Sequence, residues 1–189
     1  MTIQEARKLA KEKLSSKRYK HTEGVAAAAR KLAPKFGADP DKAELAGLLH
    51  DILKEEKDDV LLGYMKGSSY MEDPYIMQKH SVWHSYAGGI YVRRELGVPE
   101  DVASAIAAHT TGKPDMTPLE KTVFLADYIS EERTYDDCVR VRKIAEKDPE
   151  RAVLEELRLT VISILEKEKI IDDVSVAAYN YYQNKARQD

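Results

Sequence analysis

Apolar residues recur at helical spacing along almost the whole chain, and this periodicity constrains the fold more than any other feature of the sequence. The interruptions are short and contain Gly or Pro, at 37–40, 97–100 and 112–118. Only 9 glycines and 7 prolines occur among 189 residues, which favours helices over a turn-rich sheet protein. The sequence therefore predicts an all-α helical bundle that forms one domain over residues 1–189.

Net charge and cysteine content limit the binding partners and the cellular compartment that we expect for this protein. The formal net charge of -3 gives no global basic surface, so nucleic acid is not expected as the main partner. The N-terminus lacks an apolar signal region, and no stretch approaches the roughly 20 apolar residues of a membrane span. With a single cysteine, Cys138, the chain has no internal disulfide, and we expect a cytoplasmic protein. A homodimer is left open.

Two helix starts are signalled by local sequence. Asp39, followed by proline, is typical of an N-cap, and it opens a helix predicted to carry the pair at 50–51. A capping box at Thr117 opens a second helix, predicted to run through Asp127. Segment 66–80 predicts a loop with broken helical turns. Further amphipathic helices are predicted at 136–147, 149–168 and 173–186.

Polar groups interrupt these apolar helices in an unusual way. Asp51 and Asp127 lie within the apolar runs LLHDIL and VFLADYI, and all five histidines fall on apolar helical stripes: His21, His50, His80, His84 and His109. Each histidine alone is more often a core residue bonded to a carbonyl or a tyrosine. A shared cation would satisfy the whole set at once, because imidazole and carboxylate groups bind divalent metals. The pattern predicts a metal site between helices, with Asp51 able to bridge two ions.

The order of these residues is H…HD…H…H…D, and longer strings accompany it: LLHDILKE, HSYAGGIYVRRELGV and AIAAHTTGKPDMTPLEKTVFLADYISEER. The chain resembles the HD-domain metal-dependent phosphohydrolases, and within them the bacterial YqeK family, which are symmetrical hydrolases of diadenosine tetraphosphate. The resemblance spans about residues 16–182.

The resemblance implies an all-α HD fold that cuts the nucleotide between its two central phosphates and releases two ADP molecules. It implies one or two metal ions, with iron suggested and manganese or zinc as alternatives. The metal ligands that it implies are His21, His50, Asp51 and Asp127. His84 and His109 match catalytic positions that face a second metal or the phosphates. The spacing to GV at 97–98 assigns the third motif histidine to His84, with His80 as an alternative or an additional substrate contact.

Cations and hydroxyls near these positions are candidates for holding phosphate. Arg18 precedes His21 by three residues, Lys54 follows Asp51 by three, and Arg133 lies just beyond the helix that ends near Asp127. We predict that Lys54 takes part in catalysis and that the two arginines bind substrate; the alternative is that they are solvated surface cations. Further substrate donors are expected from Thr110, Thr111 and Gly112, which could equally form a plain helix C-cap.

Three other functions stay open at this point. The same site could hydrolyse a nucleoside di- or triphosphate, a cyclic nucleotide or a guanosine polyphosphate. The same ligand frame could support an oxygenase, which would consume O2. In a non-enzymatic alternative, the pocket binds a nucleotide and the bundle signals to a partner; the intact ligand set argues against it, because a pure binder has no need of metal ligands.

Overall fold

The computed structural model describes residues 1–188, which form eleven α-helices and two short 3-10 helices and contain no strand. The predicted all-α fold is confirmed. The α-helices are α1 (Ile3–Lys13), α2 (Ser16–Phe36), α3 (Pro40–Leu49), α4 (Asp58–Met65), α5 (Pro74–Gln78), α6 (Trp83–Leu96), α7 (Glu100–Ala108), α8 (Pro118–Ile129), α9 (Asp136–Lys147), α10 (Pro149–Glu166) and α11 (Asp173–Lys185). The 3-10 helices are Ser69–Glu72 and His80–Val82.

Helices α3 and α8 begin where their N-capping residues predict. The Asp39 carboxylate accepts hydrogen bonds from two backbone N–H groups of the first turn of α3. At α8 the Thr117 hydroxyl and the Glu120 carboxylate form a reciprocal capping box. The irregular segment 66–80 contains Ser69–Glu72, the five-residue α5 and the first residue of the 3-10 helix His80–Val82. The last three helices lie within two residues of their predicted ends.

One predicted helix is shorter than its apolar pattern suggests. Helix α3 ends at Leu49, so His50 is its C-cap and Asp51 lies in the turn that follows. Here the backbone bonds tighten to i→i+3, with the Ile52 N–H donating to the Leu49 carbonyl at 3.1 Å and the Lys54 N–H to the Asp51 carbonyl at 2.8 Å. Tightening to about 3.0 residues per turn changes the direction of successive side chains from that expected in an α-helix.

The apolar core forms two clusters that meet at α8. Val123 and Ala126 contribute to the cluster built mainly by α2, α3, α6 and α7, while Phe124 and Leu125 contribute to the cluster built with α9, α10 and α11. Asp127 follows directly, so α8 brings a carboxylate to the junction of the two clusters. No helix in the described part of the chain is long and apolar enough to cross a bilayer.

Candidate metal centre

Five elements of the bundle bring the predicted ligands together. His21 lies on α2, His50 and Asp51 at the end of α3, and His84 on α6, while His109 caps α7 and Asp127 lies in the last turn of α8. All except His21 and Asp127 are almost fully buried. Because the ligands come from five separate helices, the site depends on the packing of the whole bundle.

Backbone carbonyls fix the orientation of two of the imidazole rings. The Nδ1 of His50 lies 2.7 Å from the Gly47 carbonyl, and the Nδ1 of His109 lies 2.7 Å from the Ile106 carbonyl. Since a carbonyl only accepts, each Nδ1 carries the hydrogen and each Nε2 presents a lone pair. This is the tautomer that ligates a metal through Nε2.

A carboxylate plays the same part for the third ring. His21 Nδ1 lies 2.5 Å from Glu132 Oε1, and the Ser130 hydroxyl donates to the same oxygen at 2.8 Å. Gly24 makes room for it, because a Cβ there would clash with the Glu132 carboxylate. Sequence reasoning missed Glu132, since only the approach of α2 to the end of α8 identifies its partner.

Among residues 1–188, three buried atoms of this cluster have no hydrogen-bond partner: His21 Nε2, His50 Nε2 and Asp51 Oδ1. His21 Nε2 lies 3.0 Å from Asp127 Oδ1, and His50 Nε2 lies 3.4 Å from Asp51 Oδ2. Facing lone pairs repel one another, and leaving buried polar atoms unpaired costs about 1–3 kcal/mol each. A cation among them removes both penalties, so these residues fit a metal ion.

The two oxygens of Asp51 face different ligand groups. Oδ2 points toward His50, whereas Oδ1 lies 3.2 Å from His84 Nε2 and 3.6 Å from His109 Nε2. Within the described residues, two sets of candidate ligands have donor atoms within 4.8 Å of one another: His21, His50 and Asp127, and His50, Asp51 and His109. The two oxygens of Asp51 therefore lie beside different candidate ligands, and the two sets share His50.

Both carboxylates are held in the charged form that a ligand needs. Burial acts to raise the pKa of Asp51, but the close approach of His50, His109 and His84 holds that pKa well below its usual value. For Asp127, burial is likewise outweighed by the neighbouring His21 ring and the Arg133 charge, so its pKa is also lowered. Burial lowers the pKa of His84 to about 4, which keeps that ring neutral at physiological pH.

Three predicted cations border the cluster. Arg18 donates to Asp51 Oδ2 at 2.8 Å, and Arg133 donates to Asp127 Oδ1 at 2.5 Å. Lys54 Nζ lies 3.1 Å from His84 Nε2, and burial lowers the pKa of its ammonium group. The structure thus brings these cations to the candidate ligands, and all three are partly buried there.

His80 does not lie on a buried helical stripe, and that expectation is wrong. Its side chain is 61% exposed, its ring stacks on Trp83 with centroids 4.0 Å apart, and its Nδ1 lies 2.7 Å from Asp58. The reason is that α6 begins only at Trp83, so the helical register does not extend back to residue 80. His84 is therefore the histidine that joins the cluster.

The three residues after His109 make different contacts. The Thr110 hydroxyl lies 3.1 Å from His109 Nε2 and remains at the site. The buried Thr111 hydroxyl instead contacts the Tyr86 hydroxyl at 3.1 Å and donates to a backbone carbonyl. Gly112 has φ 64° and its N–H bonds to the Ala108 carbonyl, which is a left-handed helix cap.

Comparison with known proteins places this geometry in a family. The profile of the HD domain matches residues 18–132, which is more than half of the chain and contains every candidate ligand. The chain belongs to the HD-domain family. The range also includes Arg18 and Glu132 as its first and last residues.

Three curated relatives, all named bis(5'-nucleosyl)-tetraphosphatase, symmetrical, match nearly from end to end. The relative from Bacillus subtilis (strain 168) is 35% identical over 96% of this chain and 97% of its own length. That from Halalkalibacterium halodurans is 38% identical over 93% and 94%, and that from Staphylococcus aureus 34% identical over 96% and 95%. The chain is therefore a YqeK-type HD-domain phosphoanhydride hydrolase.

A solved structure supports the same assignment. A crystal structure from Clostridium acetobutylicum, described as a predicted HD superfamily hydrolase involved in NAD metabolism, superposes with a TM-score of 0.91 at 30% identity. The match covers 98% of each chain, so it includes α9, α10 and α11, which lie beyond the HD profile.

Proposed function

We propose that this HD-domain hydrolase cleaves diadenosine tetraphosphate and related dinucleoside polyphosphates symmetrically into two ADP molecules, in the cytoplasm and with a bound metal ion. The observation that carries the proposal is the near-complete match to three relatives named as symmetrical tetraphosphatases, at 34–38% identity. The clustered His and Asp atoms without hydrogen-bond partners among residues 1–188 support the metal requirement.

His21, His50, Asp51 and Asp127 would hold the primary metal ion, and iron is the identity we propose, with manganese or zinc as alternatives. Asp51 would bridge to a second ion near His84 and His109. When bound, the metal would supply charge neutralisation and an activated water nucleophile near neutral pH. The backbone and Glu132 contacts at Nδ1 keep each ligand ring in the required tautomer.

Arg18, Arg133 and Lys54 would hold the charge that spreads over the phosphate oxygens during cleavage. Each guanidinium has five N–H donors in a planar fork, so pairing with one carboxylate oxygen leaves donors for phosphate. Thr110 would add a hydroxyl donor at the same face. The leaving ADP has a phosphate with its second pKa at about 6, so a strong general acid is not required.

The remaining predicted residues would act from outside the metal cluster. Thr111 and Gly112 would support substrate through the backbone that positions Thr110, because their own hydrogen bonds are already made within the fold. His80 would contact substrate at the exposed surface beside α6.

Product analysis tests the proposed reaction. The purified protein is incubated with diadenosine tetraphosphate and the nucleotides are separated; we expect ADP as the only product. Release of ATP with AMP would show asymmetric cleavage and contradict the proposal. Faster hydrolysis of a mononucleotide, a cyclic nucleotide or a guanosine polyphosphate would assign a different substrate to the same site.

A further inference from the structure

A basic cleft of about 530 Å³ lies between the segment that precedes α6 and the C-terminal end of α10. Its polar lining comes from Gln78, Lys79, His80, Ser81, Ser163, Lys167 and Lys169, and two isoleucines supply apolar surface. No carboxylate from the described part of the chain belongs to this lining. The cleft therefore combines cations, hydroxyls and an apolar patch.

Two of these lysines are available to an anion. Lys79 pairs with the buried carboxylate of Asp172 at 2.5 Å. Lys167 contacts only the Ser163 hydroxyl, at 2.7 Å, and among residues 1–188 neither Lys167 nor Lys169 forms an ion pair. An uncompensated pair of ammonium groups beside a hydroxyl favours a phosphate ligand.

The end of α10 turns these two lysines toward the same space. Glu168 adopts φ 50°, a left-handed conformation that is unfavourable for a residue with a side chain. The reversal is closed by hydrogen bonds from the Lys169 N–H to the Ile164 carbonyl at 3.1 Å and from the Glu168 N–H to the Leu165 carbonyl at 3.0 Å. Residues on both sides of this turn consequently line one cleft.

Short links along the chain and through hydrogen bonds connect the lining of the cleft to the metal centre. Ser81 precedes His84 by three residues, a rise of about 5 Å along a helical backbone. On the other wall, Asp172 accepts from the Ser175 hydroxyl at 3.0 Å, and that hydroxyl also lies 3.5 Å from the Thr111 carbonyl. The residues that anchor Lys79 therefore also contact the backbone that carries Thr110.

We propose that this cleft binds one nucleoside diphosphate half of the dinucleotide, and this inference rests on the proposed function. Symmetrical cleavage requires a nucleoside diphosphate on each side of the scissile bond. With the central phosphates at the metal centre, Lys167 and Lys169 bind the outer phosphate of one half, and the isoleucines contact its ribose or base. The cleft is a determinant of substrate affinity and not of bond breaking.

The test combines Lys167→Ala with Lys169→Ala in the metal-bound enzyme. We expect the KM for diadenosine tetraphosphate to rise about tenfold or more with little change in kcat, because binding contacts are removed away from the reacting atoms. Calorimetric titration with ADP should show two sites in the wild type and the loss of one in the double variant. The matched control is Lys8→Ala with Lys11→Ala on α1, where both side chains are exposed and the change in net charge is the same.

The outcomes separate this inference from the proposed function. If the wild type releases ADP from the dinucleotide and the double variant keeps a wild-type KM and both ADP sites, the assignment of the cleft is overturned while the function stands. If the wild type does not cleave the dinucleotide but the double variant still loses an ADP site that the control retains, the proposed function is wrong and the cleft is a nucleotide site.

Discussion

At the scale of single residues, each candidate histidine ligand is oriented by the group that hydrogen-bonds to its Nδ1 atom. His50 and His109 use a carbonyl of their own helix turn, which any helix can provide, whereas His21 depends on Glu132 from a different part of the chain. A carboxylate behind a ligand histidine raises its basicity and fixes its orientation. Glu132 should therefore affect metal binding although it is not itself a proposed ligand.

Glu132→Gln is expected to weaken metal binding by about 10- to 100-fold, because the amide keeps the shape of the side chain and loses its charge. The measurement is the metal dissociation constant by calorimetry on protein stripped with chelator. Glu131→Gln, at the exposed neighbouring position, is the matched control and should bind metal as the wild type does. Equal affinities for the two variants would show that Glu132 does not support the ligand.

Arg18 separates phosphate recognition from metal ligation. A guanidinium cannot ligate a cation, so Arg18→Ala should leave the metal content unchanged and reduce kcat/KM about 10- to 1,000-fold, or ~1.4 to 4 kcal/mol. Arg18→Lys should recover only part of the activity, because a point charge replaces a planar fork.

Metal content, melting temperature and kinetics are measured on the same Arg18 samples. Wild-type activity in Arg18→Ala would assign the phosphate contacts to Lys54 and Arg133 alone. Loss of metal or of folding in that variant would show that the ion pair with Asp51 is structural.

The protonation state of the buried Glu156 carboxyl affects the stability of the fold. It is buried on α10, its Oε2 has no hydrogen-bond partner within residues 1–188, and burial together with the charge of Asp127 raises its pKa well above the usual value. The folded state therefore retains a proton that the unfolded chain releases above about pH 4.5, so this group's contribution to stability falls as pH rises.

Glu156→Gln should abolish this loss of stability at rising pH, because an amide stays neutral at every pH. We expect its melting temperature to exceed that of the wild type at pH 8, with the difference shrinking toward pH 4. The check is a pair of thermal unfolding curves at each pH. A difference that does not change with pH would show that Glu156 is ionised in the folded protein.

At the scale of elements, the site depends on how closely α2 and α3 approach. A Cβ at Gly47 would lie 2.7 Å from the Ala26 Cα, so glycine is required where the two backbones cross. Gly47→Ala should push apart the helices that carry His21 and His50 and destabilise the protein by about 1–3 kcal/mol. For a chain of this length that corresponds to a fall in Tm of roughly 2–4 °C per kcal/mol.

The matched control is Gly63→Ala on α4, where an added Cβ meets nothing within 4 Å among the described residues. Alanine favours helix over glycine by up to about 1 kcal/mol, so this variant should be neutral or more stable. Thermal unfolding of both variants decides the point: equal Tm values would show that the α2–α3 contact tolerates a methyl group.

Features of the helices that depend on nearby residues could be predicted from the sequence. The caps at Asp39 and Thr117, the irregular segment 66–80 and the three last helices follow from local chemistry, and all appear in the structure. The inward placement of Asp51 and Asp127 also followed, since a carboxylate inside an apolar run is carried into the core with its neighbours and needs a cationic partner there.

What the sequence did not predict depends on distant contacts or on where a helix stops. The early end of α3 at Leu49 lies inside a continuous apolar pattern, for which periodicity carries no signal. The start of α6 at Trp83 lies beyond the position that the four-residue spacing of His80 and His84 suggested. For that reason His80 was wrongly given an inward position. The His21–Glu132 pair joins residues 111 positions apart, which no local pattern encodes.

At the scale of the whole molecule, α8 connects the two apolar clusters and carries Asp127 at their junction. The first cluster includes the helices that carry or precede the candidate histidines, and the second includes α10, whose C-terminal end lines the basic cleft. Because both halves contribute, we expect ligand binding and global stability to be coupled.

Metal titration tests whether bound metal makes this fold a phosphoanhydride hydrolase. Protein stripped with chelator is titrated with Fe(II) or Mn(II), and the bound metal per chain is compared with the rate of ADP formation from diadenosine tetraphosphate. We predict no turnover without metal and a rate that rises in proportion to bound metal, while Asp51→Ala binds less metal and stays at least tenfold below the wild type, a barrier change of ~1.4 kcal/mol or more. Wild-type rates of ADP formation from metal-free protein, or from Asp51→Ala, would show that hydrolysis does not depend on a metal held by Asp51.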